Sequence, residues 1–278
     1  MGLTVSQLIV YPVKGLKGIP LEASAATPRG LAHDRRFMVV EPDGRFLSQR
    51  ELPAMATIWT EIAGAELLLA APDAGEIAVP LEPVRGESLE VEVWDSRCPA
   101  LAPSPEADRW LSEALGRPCR LAWMPESTRR ESKPRRAGPG HLVGFADGYA
   151  FLVISEASLE ALNARLAHPV PMDRFRPNLV VRGGEPFAED AWGDFTAGEA
   201  ALRMAKPCGR CQVTTTDQST GEVTGPEPLA TLSAWRMSPE FGAMFGMNAV
   251  TVRPGVIRVG DAVDPRLRGD DDKAGVAG

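Results

Sequence analysis

Lys206-Pro-Cys-Gly-Arg-Cys-Gln-Val-Thr-Thr-Thr-Asp217 sets Cys208 and Cys211 three positions apart, beside two cations and two turn-forming residues. Lys206, Pro207, Gly209 and Arg210 make the surroundings polar, electropositive and turn-like. Such surroundings favour a thiolate, the form that ligates a metal or attacks an electrophile. Three successive threonines after Cys211 predict a strand over residues 212–216. That context opposes thioredoxin-type exchange, in which the first cysteine opens a helix. A structural zinc site needs four ligands. Cys98 and Cys119 are isolated, and His33, His141 and His168 are scattered, so zinc is disfavoured. Two readings stay open on these residues: a functional thiolate and a pair of packed thiols.

Outward from this segment, short strands dominate. Residues 4–11 are rich in β-branched side chains and stop at Pro12. Residues 36–40 and 45–47 flank Pro42-Asp43-Gly44, a hairpin signal. Residues 67–70 and 76–79 surround a second turn. Leu89, Val91 and Val93 alternate with Glu90 and Glu92 at the period of a half-buried strand. Further strands are expected at 151–154, 179–181, 200–204, 249–252 and 256–259.

Two helices interrupt them. Ser104-Pro105-Glu106 supplies a cap, a first-position proline and an acidic first turn, and Gly116 ends the run. The second opens at Ser155 and carries Leu159, Leu162 and Leu166 on one face. Residues 228–236 predict a shorter helical stretch. Residues 125–148 read as a long loop or domain junction, and 265–278 as a disordered tail. The fold class is therefore α+β, predominantly β, with a barrel-like architecture.

At 278 residues the chain has room for two domains, with 44% hydrophobic and 24% charged residues. A formal charge of −7 excludes a global pull toward nucleic acid or anionic membrane. The basic run from Arg129 to Arg136 lacks the interleaved aromatics of a base-stacking surface. It reads as a solvated loop, with docking of an acidic electron-transfer partner as the second reading. Four cysteines are too few for a disulfide framework in a chain this long. No apolar run reaches the ~20 residues of a membrane span. The first residues do not read as a signal peptide, and a reducing cytoplasm is the expected compartment.

The cysteine segment, with Thr220-Gly221-Glu222 and Pro226-Glu-Pro-Leu229 after it, resembles the MOSC domain, the C-terminal domain of molybdenum cofactor sulfurases. Further motifs occur in family order. They are Tyr11-Pro-Val-Lys14-Gly-Leu-Lys17-Gly18, His33-Asp34-Arg35-Arg36-Phe37, Ser48-Gln-Arg-Glu51, Ser155-Glu-Ala-Ser158, Phe175-Arg176-Pro-Asn178, Glu189-Asp-x-Trp192 and Pro254-Gly-x-Ile-x-Val-Gly260-Asp261. The resemblance spans residues 3 to 264 and is nearest to the MOSC proteins with an N-terminal β-barrel domain, the amidoxime-reducing components among them. It implies an N-terminal domain at 1–123 and a MOSC domain at 124–264.

The resemblance also implies a molybdenum cofactor with Cys211 as the protein's metal ligand, a soft thiolate being apt for this metal. Cys208 is not a ligand in that pattern. Lys14, Gly15, Arg36, Arg176 and Arg210 are implied as contacts to the anionic pterin and its phosphate, with Gly148 and Gly209 beside them. Gly15 stands where relatives often carry serine. Asp147 is implied as a cofactor-facing residue, either relaying a proton or anchoring a neighbour. The implied reaction is reduction of N-hydroxylated or N-oxide compounds. Its electrons would come from a separate ferredoxin, flavoprotein or cytochrome, since no cluster-binding cysteines follow. The alternative is a sulfur-carrier or cofactor-binding protein of cofactor metabolism.

Overall fold

The computed structural model describes residues 2–268. Seven strands form a closed barrel: Leu3–Val10, Phe151–Ser155, Leu179–Arg182, Trp192–Ala197, Ala200–Gly209, Gly242–Arg253 and Ala262–Leu267. One comes from the first 123 residues and six from the remainder. Around the ring, Phe151–Ser155 pairs in parallel with Leu179–Arg182, and every other pairing is antiparallel. The parallel pair is made possible by the intervening helix Glu156–Asn163, because parallel neighbours need a crossover. Alternate residues point inward, so Val5, Leu8, Phe151, Val153, Phe195, Leu202 and Met247 fill one core.

The first half builds a five-stranded sheet ordered Glu87–Val93, Ser96–Ala102, Arg120–Trp123, Phe37–Val40 and Val13–Lys14. A second core joins it to the three-stranded sheet Trp59–Ala63, Glu66–Ala71 and Gly75–Pro80 and to the helix Pro105–Leu115. That helix starts where expected: the Ser104 hydroxyl accepts the Ala107 N–H at 3.1 Å. It stops at Gly116, whose φ of 61° suits glycine.

Three expectations need correcting. Residues 212–216 are no strand: Gln212–Thr215 is a 3-10 turn. The Thr214 and Thr215 hydroxyls donate to the Cys211 and Gln212 carbonyls at 3.0 and 2.8 Å. Such local bonds compete with sheet pairing and override the β propensity of threonine. The helix after Ser155 ends at Asn163, so Leu166 lies beyond it. Residues 265–267, assigned to a disordered tail, complete the strand Ala262–Leu267 by pairing with Trp192–Ala197. The rest of that assignment, from 269 onward, lies outside the described residues.

The loop over 125–148 is ordered by a buried clip. Arg130, 6% exposed, donates to the carbonyls of Gly144, Ala146 and Asp147 at 2.7, 2.6 and 3.1 Å. Three of the other four cations of the basic run are paired, Arg129 with Glu131, Lys133 with Asp95 and Arg136 with Glu240. Among the described residues no helix is long and apolar enough to cross a membrane.

Candidate functional site

Where the barrel mouth meets the five-stranded sheet, a cleft opens. Its lining holds six cations, Lys14, Arg35, Arg50, Arg174, Arg176 and Arg210, against the single carboxylate of Asp147. In a chain of net charge −7 this is a strong local reversal.

Cys211 and Cys208 both line the cleft but differ in setting. Cys211 is exposed at the start of the 3-10 turn. Cys208 is half-buried at the end of its strand and packs with Leu229, Trp235 and Phe245. The strand Ala200–Gly209 slips register against Gly242–Arg253 at three places, the last between Pro207 and Gly209. Irregularities of this kind re-aim side chains beside sites. A Cβ on Gly209 would sit 2.0 Å from the Phe241 carbonyl oxygen, so only glycine fits there. The strand expected after Cys211 had been the argument against thioredoxin chemistry. A better one now replaces it: the first cysteine ends a strand and opens no helix. Among the described residues no cluster of three or more His, Cys, Asp or Glu is found. Burial pushes the Cys98 thiol up and that of Cys119 to about 11, leaving both as neutral packing groups.

The cationic wall comes from both halves. Lys14 ends its short strand, is buried, and pairs with Asp147. Burial pulls its ammonium pKa down, and the Asp147 charge opposes that pull. Gly15 follows with φ +86°, and a Cβ there would meet Met55 Cε at 2.8 Å. Its carbonyl accepts from Gln49 Nε2 at 2.7 Å. Arg176 has a left-handed φ of 55° and donates to Leu16 O at 2.6 Å and Gln218 Oε1 at 3.2 Å. Burial brings its pKa down to about 10. Arg210 donates to Phe245 O at 2.8 Å and Phe175 O at 3.0 Å, while its Nη2 is buried without a partner. Gly148 lines the cleft, with open space where a Cβ would stand.

Arg36 does not join them. Its guanidinium turns to Glu126, the Met124 carbonyl and the Trp123 ring, outside the cleft lining. Arg35 lines the cleft instead. It has a left-handed φ of 45° just before the strand Phe37–Val40, and the two neighbouring arginines point into different surroundings. Arg35 donates to Asp34 Oδ2 at 2.6 Å and Asn178 Oδ1 at 2.8 Å. Its guanidinium and that of Arg176 both lie over the Tyr11 ring, at 4.4 and 4.3 Å from the centroid.

Two further residues escaped the sequence reading. Arg174, 6% exposed, donates to Thr215 O and Asp217 Oδ2, each at 2.9 Å, tying the turn after Cys211 to the barrel wall. Trp94, at the tip between Glu87–Val93 and Ser96–Ala102, donates its indole N–H to Asp147 at 3.0 Å. Its ring lies 4.4 Å from the Arg50 guanidinium. Neither belongs to a periodic pattern, and only an aromatic at a hairpin tip hinted at Trp94. Desolvation works against the Asp147 charge, but Lys14 and the Trp94 N–H outweigh it and hold the carboxyl well below the usual range.

Comparison with known proteins agrees with this architecture. Residues 2–118 match the MOSC N-terminal beta barrel domain and residues 141–264 the MOSC domain. The chain is 32% identical to mitochondrial amidoxime-reducing component 1 of Xenopus laevis, over 93% of this chain and 81% of that protein. It is also 32% identical to the Homo sapiens protein of that name, over 94% and 82%. Molybdenum cofactor sulfurase of Solanum lycopersicum is 31% identical over 94% of this chain, which spans 35% of that longer protein. With its cationic cleft and its thiol formed by the matched segments, the chain belongs to the MOSC family.

Proposed function

We propose that this protein is a molybdenum-cofactor-dependent oxidoreductase that reduces N-hydroxylated or N-oxide compounds. The observation that carries the reading is the cleft itself: six cations and one exposed thiol converge in a chain that is otherwise acidic. An anionic pterin phosphate needs cations and N–H donors, and a soft metal needs a thiolate. The residues present fit both demands.

In this reading Cys211 is the metal ligand. Arg35, Arg176 and Arg210 hold the pterin and phosphate with Lys14, while backbone at Gly15, Gly148 and Gly209 gives close approach. Asp147, ionised and paired with Lys14, positions that lysine; its depressed pKa argues against its donating a proton near neutrality. The bound cofactor supplies the two-electron chemistry, and the chain orients it and admits substrate. Electrons come from a separate ferredoxin, flavoprotein or cytochrome. Four free cysteines suit a reducing compartment, assigned here as the cytoplasm, although the amidoxime-reducing relatives are named mitochondrial.

The sulfur-handling alternative draws support from the exposure of Cys211 and from the sulfurase relatives. It predicts a persulfide on Cys211 that a desulfurase enhances. Metal and pterin analysis of protein from a cofactor-competent host tests the main reading. Wild type is expected to carry molybdenum, Cys211→Ser to lose it, and Cys208→Ser to retain most of it. Equal loss from both variants would replace a single ligand by a paired site, and no metal in wild type would end the proposal.

A further inference from the structure

The Asp147 carboxylate is used on one side only. Lys14 Nζ and Trp94 Nε1 both donate to Oδ1. Oδ2 accepts no hydrogen bond among the described residues, although the side chain lines the cleft and is 73% exposed. The backbone behind it is fixed, because Arg130 Nη2 donates to the Asp147 carbonyl. Trp94 is held in turn by Arg50 over its ring and by Phe46 at 5.1 Å. Two donors on one oxygen and a clamped backbone fix the carboxylate plane, and so fix where Oδ2 points.

The surrounding charge gives this free oxygen a distinct role. Every other ionised group in the lining is a cation, suited to an anionic ligand. An anionic cofactor gains nothing from a carboxylate, whereas a ligand bearing N–H groups does. We propose that Asp147 Oδ2 is the specificity-determining acceptor for substrates carrying N–H donors, amidoximes and hydroxylamines, in preference to tertiary amine N-oxides, which carry none. The inference rests on the reductase reading and narrows its substrate class.

The two reactions are otherwise alike. An amidoxime takes two electrons and two protons, its N–O bond breaks, and amidine and water leave. A tertiary N-oxide takes the same electrons and protons and yields amine and water. Only the first reactant offers an amino group to a carboxylate throughout, and its amidine product becomes a cation. Asp147, held ionised, meets both needs with a charge-assisted hydrogen bond.

Asp147→Asn is the test, because the amide keeps one oxygen for Lys14 and Trp94 and turns the free acceptor into a donor. Metal-loaded wild type and variant are compared with dithionite-reduced methyl viologen as electron source, and rates are normalised to bound molybdenum. Benzamidoxime and a tertiary aromatic amine N-oxide serve as substrates. The ratio of their kcat/KM values is expected to fall about tenfold or more, through KM for the amidoxime. A ratio within twofold of wild type, with both rates lowered together, would overturn the inference and leave Asp147 an anchor for Lys14.

Calorimetry with benzamidinium on the same oxidised proteins reads the acceptor without turnover. Wild type should bind it at least tenfold more tightly than Asp147→Asn, and equal binding or none would sink the acceptor role. If wild type reduces neither substrate, the reductase reading fails, and the benzamidinium result alone decides whether Oδ2 recognises an N–H ligand.

Discussion

Arg35 and Arg36 are neighbours in different surroundings, and only Arg35 lines the cleft. The left-handed φ at Arg35 turns its guanidinium into the cleft, whereas Arg36 lies against Trp123 and pairs with Glu126. Arg35→Gln is therefore expected to cut molybdenum and pterin content several-fold, while Arg36→Gln leaves both within about a third of wild type. Metal analysis with fluorescence of the oxidised pterin reads the difference, and a reversed order would refute the assignment. Within the motif His33-Asp34-Arg35-Arg36-Phe37 the family resemblance pointed to Arg36, whereas the arginine that lines the cleft is Arg35. What it lacked was φ: nothing in a pair of arginines says which is left-handed. Arg176, implied as a cofactor contact by the resemblance of its motif, does line the cleft, although its φ of 55° is just as unusual.

At the scale of elements, the turn that presents Cys211 departs most from its sequence. Residues 214–216 are three threonines, yet the hydroxyls of Thr214 and Thr215 close a 3-10 turn, and Asp217 closes the next loop. The Asp217 carboxylate accepts from the Ser219 hydroxyl, the Ser219 N–H at 2.9 Å, the Thr220 N–H at 3.2 Å and Arg174. In the order Ser219, Thr220, Arg174, these donors bring its pKa down to about 2 from 3.8. A depressed acid stabilises the fold fully above its unfolded pKa and stops doing so as pH falls through its folded one. Its contribution, discounted for partial exposure to about 1–2 kcal/mol, is therefore lost between roughly pH 4 and pH 2. Asp217→Asn should lower stability at pH 7 by about that amount and flatten the acid dependence in that window. Thermal melts from pH 7 to pH 2 would show it, and parallel curves for both proteins would contradict it. Where pattern and capping agreed, as at Ser104-Pro105 and Gly116, the sequence placed an element to the residue. Where side-chain hydroxyls competed with the ladder, propensity misled.

Across the whole molecule, most strands were legible as alternating or β-branched runs, but their order around the barrel was not. Pairing partners such as Leu3 with Val263 and Thr4 with Arg182 are far apart in sequence, beyond any local signal. Leu3–Val10 lies between two strands from the other half, and that has a direct test. Residues 124–268 produced alone leave Leu179–Arg182 and Ala262–Leu267 with unpaired edges and remove Val5 and Leu8 from the core. That fragment is expected to aggregate or to lack cooperative melting, since exposed edges invite intermolecular pairing. A monomeric fragment with a sharp transition would show that the barrel tolerates a gap. A single cavity is a milder probe: Phe195→Ala, in the middle of that core, should cost about 3–5 kcal/mol by denaturant titration.

The placing of Leu3–Val10 also governs when the protein can become itself. A ribosome delivers this segment long before its partner Ala262–Leu267, so the ring stays open until that partner has emerged. Throughout that interval an apolar, β-prone segment waits without its neighbours. Contacts this distant in sequence slow folding. Over that interval the exposed apolar surface and unpaired edges are open to aggregation, which nascent-chain handling has to prevent.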